Sequence, residues 1–260
     1  MNSAFKKNLK KLLKINILAI TLMICAIAVN SSYFLEIKDL PEKNFVNISM
    51  TRYITNCSNR NSLDQDADCQ EETVIFKAFA SGMAIKSDGE FSYILTAEHF
   101  CNPIDISDTG HTSSDQSQDF LITNHVGESF LADMVYSDSN LDLCIIRSKI
   151  KIDEVIDISL KIPKLGERVY SLSAPQGMKE NKVTFHFEGS FSGCTDTDLC
   201  YFTIPATSGS SGSLVLNKEG NIIGMIQMTL IGFENISMGV GSRTIRLFLN
   251  EASDETGIQF

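Results

Sequence analysis

The chain has 260 residues, enough for one large or two small globular domains with a real core. Its 43% apolar and 21% charged residues exclude wholesale disorder, and its net charge of −10 argues against a nucleic-acid partner. The charge is unevenly spread. Lys6, Lys7, Lys10, Lys11 and Lys14 precede an apolar run from Ile15 to Val29, and no acid interrupts them. A basic head followed by an apolar run is a targeting pattern, and Ala26-Ile27-Ala28 offers a signal-peptidase site. The run is short for a bilayer span of about 20 residues. Two readings therefore stand: a cleaved signal peptide, or an uncleaved anchor through residues 12–29. Both place the bulk of the chain outside the cytoplasm, as a secreted, periplasmic or membrane-anchored protein.

Residues 1–30 are thus set apart, and residues 31–73 read as an N-terminal arm ending in the acidic loop Asp64 to Glu72. From residue 74 the texture becomes short apolar or alternating runs separated by Gly, Asn, Asp and Ser. Strands are expected at Val74 to Phe79, Gly82 to Lys86, Tyr93 to Thr96, Phe130 to Tyr136 and Leu143 to Arg147. The pattern resumes at Arg168 to Ser173, Val183 to Phe187, Tyr201 to Ile204, Ser213 to Leu216, Ile222 to Met228 and Met238 to Val240. A helix is expected at Arg243 to Leu249, with Ile245, Leu247, Phe248 and Leu249 packing inward. Many short strands and few helices indicate an all-β sandwich or barrels, divided into residues 74–158 and 159–260.

Three motifs carry candidate chemistry. Ile94-Leu95-Thr96-Ala97-Glu98-His99 is an apolar strand that delivers a histidine at its end. Asn140-Leu141-Asp142-Leu143-Cys144-Ile145-Ile146 puts an acid at the mouth of another. Thr207-Ser208-Gly209-Ser210-Ser211-Gly212-Ser213 is a Gly/Ser turn running into the strand Leu214-Val215-Leu216. Acyl transfer through serine needs these three residue types. The hydroxyl is a weak nucleophile, an imidazole must take its proton, and a carboxylate must hold the imidazole's tautomer. The oxyanion then needs two converging N–H groups, which a tight glycine turn can supply from Gly209 and Ser211. Each motif alone has an ordinary structural reading. Their occurrence in the order His, Asp, Ser, each on an apolar strand, carries the case. His111 sits in a polar loop, His125 in a turn, and His186 between Phe185 and Phe187 in a structural strand.

On these residues the chain resembles the trypsin-like serine peptidases, and among them the HtrA/Deg-like branch. Ser81-Gly82-Met83-Ala84-Ile85 with Thr96-Ala97-Glu98-His99 resembles that family's Thr-Ala-x-His region. Asp142-Leu143-Cys144-Ile145-Ile146 resembles its Asp strand. Leu165 to Gly177 resembles the opening of its second barrel, and Gly209 to Ser213 resembles Gly-x-Ser-Gly-Gly. The resemblance implies an all-β fold of two perpendicular six-stranded antiparallel barrels, with His99 and Asp142 on the first and Ser211 on the second. It implies a serine endopeptidase acting on protein or peptide substrates, with no cofactor and no metal. With the chain ending at Phe260, no PDZ module is expected. Pro205, Thr229 and Gly239 are the expected substrate pocket. Pro205 stands where an acid would select basic side chains, so apolar or small side chains are expected instead.

The departures matter too. Ser213 replaces a glycine, so a different turn is expected after the nucleophile. Ser210 replaces the acid that pairs with a newly cut N-terminus in many zymogens. Cys101 follows His99 by two positions rather than one, so the usual His-loop disulfide is not expected. From spacing, Cys57–Cys69 and Cys194–Cys200 are the expected bridges, and Cys144 reads as a small buried apolar residue. A second reading is a catalytically inactive peptide-binding module on the same fold. An α/β-hydrolase is rejected, because its chain order is Ser, acid, His and a helix follows its nucleophile.

Overall fold

The computed structural model describes residues 40–58, 70–102, 113–152, 156–178 and 183–260. The targeting segment, His111 and Cys69, one end of the expected Cys57–Cys69 bridge, lie outside them. No helix among the described residues is long and apolar enough to cross a membrane.

Asp39–Phe260 forms one compact unit of two closed six-stranded antiparallel barrels. The first runs β1 (Phe45–Ser58), β2 (Gln70–Ser87), β3 (Ser92–Thr96), β4 (Ser113–Asn124), β5 (Ser129–Asp138) and β6 (Leu143–Ser148), in the spatial order β1-β2-β3-β6-β5-β4. The second runs β7 (Arg168–Ser173), β8 (Phe185–Cys194), β9 (Leu199–Phe202), β10 (Leu214–Leu216), β11 (Ile222–Leu230) and β12 (Phe233–Gly241), ordered β10-β11-β12-β9-β8-β7. Closure leaves neither sheet with a long open edge.

The first barrel begins at Phe45, not at residue 74, so much of the stretch read as an arm is barrel wall. Its sequence alternates: Val46, Ile48, Met50, Arg52 and Ile54 are all buried. That period of two puts Arg52 inside together with its apolar neighbours. The two runs expected between Val74 and Lys86 are one strand, β2. Gly82 lies inside it because a Cβ there would sit 2.7 Å from both Ile48 Cδ1 and Ile94 Cγ2.

The C-terminal helix spans Ser242–Thr256 and ends at Gly257, whose φ of 72° closes it. Ile245, Phe248, Leu249 and Ala252 form its buried stripe, whereas Leu247 is exposed. Leu247 was expected to pack inward, but the helical period turns it to solvent. The helix packs back on the first barrel, with the Phe248 and Tyr136 rings 5.4 Å apart. One core cluster thereby joins Leu95 and Ile145 of the first barrel to Leu172 and Leu214 of the second.

Two disulfides are present among the described residues, Cys194–Cys200 and Cys101–Cys144. They fit an oxidising, extracytoplasmic setting. Cys144 is fully buried, but it is a bridge partner and not merely a small apolar residue. Thr96 and Cys144 are paired across β3 and β6, so the chain leaving β3 passes directly over the Cys144 side chain.

Candidate active site

His99 lies on a four-residue helix, Glu98–Cys101, immediately after β3. Two neighbours hold the end of that helix. Gln118 Nε2 donates to the Cys101 carbonyl at 2.6 Å, and Arg52 Nη2 donates to the Asn102 carbonyl at 2.8 Å. Arg52 also donates to Gln118 Oε1 at 2.9 Å. Burial lowers the pKa of the Arg52 guanidinium from its usual value. A cation at a helix C-terminus faces the carbonyl ends of the peptide dipoles, which favours this placement.

Asp142 stands in the turn before β6 with φ 52°, a left-handed conformation that Asp and Asn adopt more readily than most residues. The turn aims its carboxylate at the helix. The backbone N–H of His99 donates to Asp142 Oδ1 at 2.8 Å. The imidazole Nδ1 is 2.9 Å from both carboxylate oxygens. This pairing raises the pKa of His99 above its ordinary value, with burial working the other way. A carboxylate on Nδ1 keeps the proton there and leaves Nε2 as the basic nitrogen.

The Ser211 turn is held from the first barrel. Ser81 on β2 is fully buried and employs every polar atom it has. Its N–H donates to the Ser211 carbonyl at 2.9 Å, and its Oγ donates to the Gly209 carbonyl at 2.8 Å. The same Oγ accepts the Ala174 N–H at 2.9 Å, and its carbonyl accepts Thr96 Oγ1 at 2.8 Å. Gly209 has φ 89°, and a Cβ on it would meet the Ala174 oxygen at 2.5 Å. Gly212 has φ 85°, and a Cβ there would meet the Ser81 oxygen at 2.1 Å. Among the described residues, the N–H groups of Gly209 and Ser211 meet no acceptor. Ser213 needs no left-handed backbone, so a side chain is accommodated where glycine was the expected residue. Ser210 is buried and its Oγ accepts the Thr207 N–H at 3.2 Å.

Ser211 Oγ donates to the Gln227 carbonyl at 3.2 Å, and no hydrogen bond joins it to His99. Gln227 was not singled out by sequence. Its Nε2 donates to the carbonyls of Leu141 and Asp142 at 2.7 and 2.8 Å, so one residue ties the serine to the turn that carries the acid. Its place as an extra residue between the Ile226–Gly239 and Met228–Met238 pairs swings it out of the regular register.

The chain matches the trypsin-like peptidase domain family over residues 80–225. It belongs to that family. The fold of this trypsin-like peptidase is shared by a serine endoprotease from Yersinia pestis, with a TM-score of 0.57 and 18% identity. That match covers 82% of this chain and 64% of the other, so the peptidase spans less than two thirds of that protein. The inactive form of a serine-to-alanine mutant protein from M. tuberculosis H37Rv also matches, with a TM-score of 0.57 and 13% identity over 84% and 90% of the two chains. No curated protein sequence matches.

The remaining candidates are more dispersed. Thr229 pairs with Ser237 across β11 and β12, and Gly239 pairs with Ile226. A Cβ on Gly239 would fall 1.8 Å from the Met225 oxygen, so that position admits only glycine. Pro205 follows β9 and is half-buried. A crevice between the barrels is lined by Asn47, His125, Ser173 and Phe185, and a second, within the second barrel, by Thr203, Phe233 and Asn235. Pro205, Thr229 and Gly239 line neither. His186 is engaged by Glu42, with Nε2 to Oε1 at 2.7 Å. The one metal-like grouping among the described residues is Cys194, Asp198 and Cys200. Its sulfurs are joined to each other, and Asp198 accepts the Thr244 N–H at the start of the C-terminal helix.

Proposed function

We propose that this peptidase is an active serine endopeptidase with His99, Asp142 and Ser211 as its catalytic triad. The observation that carries the reading is the double contact of Asp142 with His99 Nδ1, which leaves Nε2 to act as a base. In the proposed cycle the Ser211 hydroxyl leaves the Gln227 carbonyl and gives its proton to His99 Nε2 as Oγ attacks the substrate carbonyl. Asp142 stabilises the imidazolium, and the free N–H groups of Gly209 and Ser211 receive the oxyanion. The imidazolium then protonates the leaving amine as the C–N bond breaks, leaving an ester on Ser211. Water, deprotonated by the same imidazole, hydrolyses that ester and returns the serine.

Substrates are protein or peptide chains. Apolar or small side chains are proposed for the region of Pro205, Thr229 and Gly239. The basic head and apolar run of residues 1–29 support export, with the segment either removed or kept as an anchor. The second reading, a peptide-binding module without turnover, draws on the Ser211 hydroxyl being bonded to Gln227 and not to His99.

A fluorophosphonate probe separates the two. One covalent adduct is expected by intact mass on the folded chain, at Ser211, and is lost in Ser211→Ala and His99→Ala. A folded protein that takes no adduct supports the binding module. Gly209→Ala is a second check. Its methyl would collide with Ala174 and demand a disfavoured φ, so the turn must shift and move a donor. A fall in kcat of roughly 10²–10³ is expected, with KM much less affected. An unchanged kcat would remove Gly209 from the oxyanion site.

A further inference from the structure

We propose that Glu98, the residue before His99, is a positioning residue that locks the histidine helix to the Asp142 turn and brings a second carboxylate to the side of the imidazole. The inference rests on the triad reading above. Glu98 is 7% exposed, an unusual state for a carboxylate, while the neighbouring His99 side chain is half exposed. Its Oε1 accepts the Ser139 hydroxyl at 2.6 Å and the Asn102 side-chain amide. Ser139 lies three residues before Asp142, in the turn joining β5 to β6. Asn102 ends the histidine helix, its backbone N–H closing on the Glu98 carbonyl at 3.1 Å, and its side chain also reaches Ser139 Oγ at 3.4 Å. Glu98, Asn102 and Ser139 thus form a closed triangle with two corners on the helix and one on the acid's turn.

The triangle acts at a point the other supports do not reach. Arg52 and Gln118 fix the far end of the helix to β1 and β4. The Cys101–Cys144 bridge fixes it to β6 beyond Asp142. Among the described residues, only Glu98 joins the helix start to the segment before Asp142. With both flanks of the acid tied to the helix, the His99–Asp142 distance is set by the scaffold and does not depend on the pair alone. Glu98 also contributes negative charge near His99. The charges acting on that imidazole are Asp142, from the turn, and Glu98, from its own helix. Asp138, at the end of β5, is turned away to accept the N–H groups of Asn140 and Leu141.

The two roles separate by substitution in the full chain. Glu98→Gln keeps an oxygen for Ser139 and Asn102 but removes the charge. Ser139→Ala keeps the charge but cuts the link. NMR titration of the His99 ring in a Ser211→Ala background reads the first role without needing activity. Its midpoint is expected to fall by roughly half a pH unit in Glu98→Gln and to hold in Ser139→Ala. With active Ser211, the acid limb of kcat/KM should move by the same amount in Glu98→Gln. In Ser139→Ala the plateau kcat should fall about tenfold with the limb unmoved. An unmoved midpoint in Glu98→Gln overturns the electrostatic role, and an unchanged plateau in Ser139→Ala overturns the positional one. A wild-type chain without peptidase activity would sink the triad reading, while the titration would still report on Glu98.

Discussion

Asp142→Asn should lower kcat by about ten-thousand-fold while leaving the fold intact. Asparagine tolerates the left-handed backbone that Asp142 adopts, and its oxygen can still accept the His99 backbone N–H now 2.8 Å from Oδ1. Both oxygens currently face the ring nitrogen. An amide puts an NH₂ group in one of those places, and that group cannot accept the Nδ1 proton. The ring then prefers to carry its proton on Nε2, where the base is needed. The acid that raises the imidazole pKa is also gone, so the acid limb of the remaining activity should move to lower pH. Circular dichroism and melting should be near wild type. A loss of less than about tenfold in kcat would mean that Asp142 anchors the helix but does not support the chemistry.

Replacing Cys101 and Cys144 by alanine should destabilise the protein by about 4 kcal/mol, measured by denaturant unfolding under non-reducing conditions. The bridge closes a loop between residues 43 apart, against six for Cys194–Cys200, and the chain-entropy cost grows with loop length. The equivalent change at Cys194 and Cys200 should therefore cost about 2 kcal/mol. Location adds to the difference. Cys101 ends the histidine helix and Cys144 begins two residues after the acid, so cutting the bridge loosens the pair as well as the barrel. Peptidase activity should fall in the first variant before unfolding is detectable. A cost below about 1 kcal/mol would mean that Arg52 and Gln118 hold the helix unaided.

The sequence made the barrels legible because most strands are apolar and bounded by turn residues. Two escaped for opposite reasons. β4 opens with Ser113-Ser114-Asp115-Gln116-Ser117-Gln118, too polar to read as a strand, and its pairing with β1 is what makes it one. β1 does alternate, but Arg52 and Asn47 fall among its residues and the nearby targeting segment invited reading it as an arm. The order of His99, Asp142 and Ser211 was visible because each motif is local. Ser81, Gln227, Arg52 and Ser139 were not, since each acts through contacts whose farthest partner lies 41 to 130 positions away along the chain. The Cys101–Cys144 bridge was hidden likewise. Proximity in sequence favoured short loops, whereas the alignment of Cys144 with the end of β3 exists only once the strands pair.

Ser81 gives the protein an order of failure. Its wall belongs to the first barrel, but the carbonyls it restrains belong to the turn of Gly209 and Ser211 in the second. A slight parting of the two halves would free that turn while both sheets kept all their ladders. On warming, the ability to cleave should therefore disappear ahead of the melting of either half, and on refolding it should return last, after the halves have found one another.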